Sequence, residues 1–419
     1  MSQNDYSERY QQTSTHLFDF GLYNVYDNNI INLSVGAPGP DLLANCCEIF
    51  NEATKHRMSL ELASKSTLFQ YGPAIGRFDI RDSFAKYLTE EYKEKVYGED
   101  IIITTGATQG LHLILSTLID FSGVIFVDEV TYMIALSAMS QFTTMKIVTV
   151  PLTKNGIDIE ALRKLTAQYR FESKTKMFWG MYYTIPVFHN PTGLLYSEEL
   201  CKQLVTLSRK NDFLIACDDV YNTLYYGMDS PPKRLYAYDD RNDADYKGHV
   251  ISNGSFSKIL SPGARVGWME CPSRCARLFD ESGIMRSGGA TNNYTSGIVA
   301  SLIELGLAKK HLDMSRNKYK ERMAIACKVL RENLPKNCTF IEPEGGFFIW
   351  VTFPADVVAA DLNRFCMEKY KVVAIAGDTF SSDGKFKNCL RITIGFHNEE
   401  NLANGLEKLC KAYGEFVAN

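Results

Sequence analysis

What this sequence lacks narrows it before any motif is read. It has no basic block of the kind that tracks a phosphate backbone: 45 Lys and Arg are interspersed among 49 Asp and Glu, the net charge is −4 and the pI is near 6.0. Nucleic acid and anionic membrane surfaces are therefore not expected partners. No apolar run is long enough to span a bilayer. The opening MSQNDYSERYQQTSTH carries Asp5 and Glu8. It has neither the apolar centre of a secretory signal nor the Arg-rich, acid-poor character of a transit peptide, so the expected compartment is the cytoplasm. Cysteine is plentiful, yet the 11 residues are odd in number and irregularly spaced, which gives no disulfide framework. Cys271 and Cys275 come nearest to a ligand pair, but no second Cys or His pair follows at ligand spacing, so no metal is expected. Asn253-Gly254-Ser255 is formally a glycosylation acceptor, a pattern without meaning in a cytoplasmic chain. There is no internal repeat and no low-complexity segment.

What is present is size and a regular apolar rhythm. At 419 residues, with 45% hydrophobic content, the chain is long enough for two domains with separate cores. Seven short apolar runs punctuate its middle: IIITT (101–105), VIFVDE (124–129), KIVTVPL (146–152), MFWGMYY (177–183), FLIACDD (213–219), HVISN (249–253) and RVGWME (265–270). Runs that are apolar on both faces predict parallel strands covered by helices. The pieces between them, such as QGLHLILSTLID and SEELCKQLVTLSRKN, are amphipathic and of helical length. After residue 300 a long helical stretch (311–334) precedes GGFFIWVTF and CLRITIGF, which read as strands of a smaller α+β unit. The expected fold is α/β with a mostly parallel seven-stranded sheet. A large domain at 51–300 and a small one at 301–419 are expected, with residues 1–50 an N-terminal segment belonging to the small one.

Ligands of such sheets gather beyond the carboxyl ends of the strands, so the polar residues just after each run matter most. After the first run come Gly106, Ala107 and Thr108, a turn opening a helix, whose free N–H groups suit a phosphate or serve merely as a tight connection. After FLIAC come Asp218, Asp219 and Tyr221; a lone Asp there would be read as a cap or turn residue. After MFWGMYYTIPVF comes His189-Asn190-Pro191-Thr192-Gly193, a plausible turn in any protein, with His189 read as a local structural residue. After HVISN come Ser255, Ser257, Lys258 and Arg265, and a lysine among such apolar neighbours is costly unless paired or bonded covalently. Taken together, two hydroxyls, an arginine and the Gly106 turn would cradle an oxyanion. A lysine at its rim, with an aspartate and a tyrosine opposite, is what an aldehyde-bearing phosphorylated cofactor requires: the lysine forms the Schiff base and the aspartate partners the pyridinium nitrogen.

The chain resembles the fold-type I pyridoxal-phosphate aminotransferases (class I/II), in the branch of the 2-aminoadipate and kynurenine enzymes. The resemblance runs through NLSVGAPGPDLL (32–43), FQYGPAIGRFDIR (69–81), TTGATQGL (104–111), VDEVTY (127–132), YTIPVFHNPTG (183–193), CDDVY (217–221), SFSKILSPGARVGW (255–268), PEGGFFIW (343–350) and LRITIGF (390–396). It implies that Lys258 holds the cofactor and then serves as the general base. Asp218, favoured over Asp219 by its spacing to Tyr221, would keep the ring nitrogen protonated. Tyr221 and Asn190 would bond the ring oxygen, and Tyr132 would stack on the ring. Ser255, Ser257, Arg265, Gly106 and the backbone at Ala107 and Thr108 would take the phosphate. It further implies that Arg391 grips a substrate carboxylate, with Gly36 and Asn190 beside it, although a strand arginine read by itself is an ordinary exposed one. Tyr71 would reach the phosphate of the other subunit, so a homodimer with shared active sites is expected.

The substrates implied are an L-amino acid and a 2-oxo acid, exchanged by a ping-pong mechanism. Some relatives of the aminoadipate type carry an arginine in the N-terminal segment that covers the distal end of the substrate. Here no arginine lies between Tyr10 and His56, so neutral or aromatic amino acids are expected over dicarboxylates. The alternative is a lyase or synthase on the same scaffold, of the C–S lyase or aminocyclopropanecarboxylate synthase type, because one cofactor linkage serves both. A regulator carrying this fold behind a winged helix is disfavoured, since the first motif already begins at Asn32.

Overall fold

The computed structural model describes residues 29–287 and 292–418. The polar opening and residues 10–28 of the arginine-free stretch lie outside the described residues. The seven apolar runs form one sheet of strands β1 (Ile101–Thr104), β2 (Ile119–Asp128), β3 (Lys146–Val150), β4 (Phe178–Thr184), β5 (Leu214–Asp218), β6 (Val250–Ser255) and β7 (Gly267–Glu270), in the spatial order β1-β7-β6-β5-β4-β2-β3. Alternate residues of the central strands β2, β4, β5 and β6 enter different cores. Ile125 and Val127 of β2, with Leu214 and Ala216 of β5, pack into one. Val124 and Phe126, with Ile215 and Cys217, pack into the other, together with Leu200, Leu204 and Leu207 of the helix Glu198–Asn211. Both faces of these central strands are buried, which is why their runs show no polar alternation.

Helix α1 (Ala107–Leu118) follows β1, and helix α2 (Glu198–Asn211) precedes β5. Ser197 caps α2 by accepting from the N–H of Leu200. Glu198 and Glu199 in the first turn and Arg209 and Lys210 in the last complement its dipole. The helical reading through Asp120 ends early, because Ile119 and Asp120 already belong to β2. One strand runs against the rest: β7 is antiparallel to both β1 and β6, with Gly267 opposite Ser255. Nothing in its two-faced apolar pattern encodes direction. The reversal comes from the connecting loop, where a 3-10 turn over Pro262–Ala264 is followed by Arg265 at φ +50°. Lys258 sits in that loop.

A second sheet, all antiparallel, contains β8 (Thr339–Phe340), β9 (Phe348–Thr352), β10 (Ile375–Ala376) and β11 (Cys389–Thr393) in the order β8-β9-β11-β10. It is accompanied by helices α3 (Leu307–Asn333), α4 (Ala359–Tyr370) and α5 (Glu399–Phe416), of which α3 and α4 both pack against α5. Ile31 and Asn32 pair in parallel with Val372 and Val373, tying the described part of the N-terminal segment to this unit. Arg322 of α3 pulls these pieces together. It is fully buried, donates to the Gly395 carbonyl and to Glu399 at the start of α5, and pairs with Asp41. Arg322→Met should therefore lower stability toward the lower end of the roughly 3–5 kcal/mol range for broken buried pairs, because Asp41 and Glu399 keep some access to water. Urea unfolding midpoints of the two proteins would measure it.

Candidate active site

The carboxyl ends of β1, β2, β4, β5 and β6 deliver their following residues to one edge of the large sheet, and β11 of the small sheet supplies the rest. Lys258, half-buried, donates from Nζ to the Gly36 carbonyl at 2.7 Å. Burial pushes its amine down to about 8; Arg391 and Arg265 push the same way, and Asp218 opposes them. Asp218 ends β5. Its Oδ2 accepts from the Tyr183 hydroxyl at 2.7 Å, while Oδ1 is buried with no donor among the described residues. Burial raises this carboxyl to about 6, against the pull of Tyr183 and Lys258. The neighbouring Asp219 turns away, accepting from Ser252 Oγ at 2.5 Å near the buried Arg234. Arg234 is itself held by Glu94 and Glu270.

Beyond β1, Gly106 sits at φ +113°, where a Cβ would come within 2.9 Å of Arg265 Nη2. Ser255 Oγ donates to Ser257 Oγ at 2.9 Å, and Arg265 reaches Ser257 Oγ at 3.4 Å and the Thr105 carbonyl at 3.1 Å. Two hydroxyls, a guanidinium and the first turn of α1, at Ala107 and Thr108, thus border one small space. Tyr221 is buried against Phe347 and Phe348. Tyr132 precedes the helix Met133–Ser140 beyond β2, and burial followed by the charge of Asp218 pushes its hydroxyl up to about 12.

Arg391 is only 2% exposed. Its guanidinium carbon lies 4.3 Å from the Phe348 ring centroid and 4.9 Å from that of Phe380. Nη1 donates to Asn190 Oδ1 at 3.0 Å and Nη2 to the Ser34 carbonyl at 2.5 Å, while Nε has no partner among the described residues. Burial lowers its pKa to about 10. Asn190 is presented by a turn locked from behind: His189 shares one hydrogen bond with Asp128 at 3.1 Å and another with Thr192 at 2.7 Å, wholly inside the protein. Gly36 closes the other side, where a Cβ would meet the Phe348 ring at 2.9 Å.

The structure thus gathers Lys258, Asp218, Tyr221, Asn190, Tyr132, Gly106, Ser255, Ser257, Arg265, Gly36 and Arg391 in one region. Tyr71 stands apart, 80% exposed, and its hydroxyl makes no hydrogen bond among the described residues. Sequence reasoning missed Tyr183, Ser34, Phe348 and Phe380. The signal for Tyr183 was a polar tip inside an otherwise apolar run, which requires a buried partner. Phe348 and Phe380 carried no such signal.

A family model of aminotransferases, class I and II, matches residues 28–409. The aromatic-amino-acid aminotransferase 1 of Thermococcus litoralis is 30% identical over 391 residues, covering 93% of this chain and 89% of that protein. The kynurenine aminotransferase of Pyrococcus horikoshii, solved with PMP, superimposes with a TM-score of 0.80 at 27% identity over 100% of this chain and 96% of that one. The α-aminoadipate aminotransferase of Thermus thermophilus, complexed with N-(5′-phosphopyridoxyl)-L-leucine, gives 0.79 at 26% identity, covering 93% and 94%. Fold and site define a fold-type I pyridoxal-phosphate enzyme. The chain belongs to the class I and II aminotransferases, in the branch near the aminoadipate and kynurenine enzymes, and the lyase alternative gives way to that reading.

The residues present suit pyridoxal phosphate. Asp218 keeps one buried oxygen free for a ring N–H, the missing Cβ of Gly106 leaves backbone open beside Arg265 and two serines, and the Lys258 amine is held near neutral pH in its proton affinity. That last feature makes a prediction for the apoprotein. The folded pKa near 8 lies below the unfolded value of about 10.4. Charging Lys258 therefore destabilises the fold fully below pH 8, and the penalty disappears as pH rises through that interval. Apo Lys258→Met should be more stable than apo wild type at pH 7 and lose that advantage by pH 10.5, as urea titrations at the two pH values would show.

Proposed function

We propose that this aminotransferase moves the amino group of a neutral or aromatic L-amino acid to a 2-oxo acid in two alternating half-reactions, with Lys258 as the residue that holds the cofactor. The observation that carries the reading is the meeting of three groups: an amine depressed to about 8, a buried carboxylate oxygen without a donor, and a buried guanidinium with an unpartnered Nε. Bound pyridoxal phosphate supplies the electron sink that weakens bonds at the substrate Cα. Lys258 would hold the cofactor through its amine and, as the general base of the site, would carry the proton taken from the substrate Cα. Asp218 Oδ1 keeps a proton on the ring nitrogen, which Tyr183 assists by occupying Oδ2. Tyr221 and Asn190 bond the ring oxygen, and Tyr132 covers a ring face. Ser255, Ser257, Arg265 and the N–H groups of Ala107 and Thr108 hold the phosphate. Arg391 takes the α-carboxylate of either substrate as a forked pair, with the Gly36 N–H alongside.

The preference for neutral or aromatic side chains is supported by the aromatic-amino-acid relative and by Phe348 and Phe380 lining the Arg391 grip. We further propose a homodimer in the cytoplasm, divided into 51–300 and 301–419 with the N-terminal segment 1–50 joining the smaller unit. Eleven unpaired cysteines support a reducing compartment, and the pairing of Ile31–Asn32 with Val372–Val373 supports the division.

Two experiments test this reading. Borohydride treatment of the yellow holoprotein should fix the cofactor on Lys258 by peptide mass spectrometry. A panel of amino donors with 2-oxoglutarate or pyruvate should then give turnover with phenylalanine- and leucine-like donors above aspartate. An adduct on another lysine, or turnover that proceeds without any 2-oxo acid, would refute the assignment. For the shared site, mixing Tyr71→Phe with Lys258→Ala should form hybrid dimers whose activity exceeds that of either parent, since one site then carries neither defect. A fully active monomer in sedimentation would rule the shared site out.

A further inference from the structure

Asn253 lies inside β6, in the middle of the large sheet, and is 2% exposed. A carboxamide in such a strand is costly unless its polar atoms are used. Its Nδ2 donates to the carbonyl of Ala107, the first residue of α1, at 2.7 Å. The space for this contact exists because residue 110, one turn into α1, is glycine. A Cβ there would stand 2.1 Å from Asn253 Oδ1 and 3.3 Å from Nδ2. Gly110 lies in regular helix with no positive φ, so the glycine serves the approach and not the backbone conformation. Helix interiors disfavour glycine by about 1 kcal/mol relative to alanine, so the pair Gly110 and Asn253 gives up helix propensity for one contact.

The same residue reaches the opposite end of the site through its backbone. The Asn253 carbonyl accepts from the N–H of Asp219 at 2.9 Å, and in sheet register Asn253 lies beside Asp218. Asn253 is therefore fastened at one end to the segment that holds the ring-nitrogen partner and at the other to the first turn of α1, directly after Gly106, whose missing Cβ would face Arg265 and Ser255. Residues 107 and 108 offer that turn little side-chain help, since Ala107 has no polar atom and Thr108 is exposed. The position of the backbone N–H groups there decides how well a phosphate is held.

We propose that Asn253 is a positioning residue for the cofactor phosphate: it sets where the first turn of α1 stands relative to Asp218, in a space that Gly110 keeps clear. The inference rests on the assignment of this site to pyridoxal phosphate. A residue acting this way should matter for the phosphorylated cofactor and not for pyridoxal, which has the same ring and aldehyde but no phosphate. A residue that merely supports the fold would affect both alike.

The test compares binding of pyridoxal phosphate and of pyridoxal to apoprotein by absorbance titration. Asn253→Leu keeps the side-chain size, removes the donor and also removes the buried, unpartnered Oδ1, so the apoprotein should melt no lower than wild type. Its dissociation constant for pyridoxal phosphate should rise about tenfold, the loss of roughly one buried hydrogen bond, while that for pyridoxal stays unchanged. Gly110→Ala, which drives a methyl into the carboxamide, should show the same selectivity, and Asn253→Ser serves if the leucine variant does not fold. Inorganic phosphate should also compete less well with reconstitution in the variants. An unchanged ratio of the two dissociation constants, in variants that fold, overturns the positioning role while leaving the cofactor assignment intact. Wild-type apoprotein that binds neither compound overturns the cofactor assignment, and this inference with it.

Discussion

Holding a lysine amine beside two guanidiniums, with one carboxylate to balance them, is the constraint on which the rest of this structure depends. Arg391 and Arg265 both bear on Lys258, and Asp218 is the carboxylate that answers them there. Such an arrangement is unfavourable in isolation. It stands because each cation is fixed by neutral acceptors already committed to the fold: the carbonyls of Gly36, Thr105 and Ser34 and the carboxamide of Asn190. The result is a lysine whose amine gives up its proton readily, in a pocket already disposed toward anions.

The two sheets make this possible by dividing the work. The large sheet fixes Asp218, Ser255 and the Lys258 loop at strand ends, where the backbone is pinned on both sides. The small sheet brings Arg391 in from the other direction, clamped between Phe348 and Phe380. Asn190, from the large sheet, and Ser34, from the N-terminal segment, both accept from Arg391, so the guanidinium is the point at which three distant stretches of chain meet. Arg322 secures the same junction from behind by joining the segment at Asp41 to the turn at Gly395, just past Arg391.

Much of this was legible in the sequence because the chemistry lies in short local patterns directly after apolar runs. Gly106, Asp218 with Tyr221, and Lys258 with its serines and Arg265 could be placed at strand ends without knowledge of the fold. Arg391 could not: a strand arginine reads as exposed until the rings of Phe348 and Phe380 are known to enclose it, and ring-on-guanidinium contacts between distant segments leave no periodic trace. The direction of β7 was equally hidden, since a strand buried on both faces has the same composition whichever way it runs. Asn253 was the most misleading residue. As a tripeptide it matched a surface modification signal, whereas its meaning depends on a glycine in another element that no local pattern connects to it.

The reversal of β7 carries a consequence for how the lysine is held. Because β6 and β7 are neighbours running in opposite directions, the loop that bears Lys258 leaves and re-enters the sheet at adjacent positions. Its neck is tied by the bond from the Phe256 N–H to the Val266 carbonyl at 3.0 Å. A parallel crossover would have left one end of this loop attached to a helix on the sheet face, free to shift with that helix. Here both ends are cut from the same rigid plane, and Leu260 and Ser261 bond back to Phe256 to fill the interior. The tether is thus gauged in length. One residue more or fewer between Phe256 and Val266 would turn the amine away from the Gly36 carbonyl it meets, although insertions of that size pass unnoticed in most surface loops.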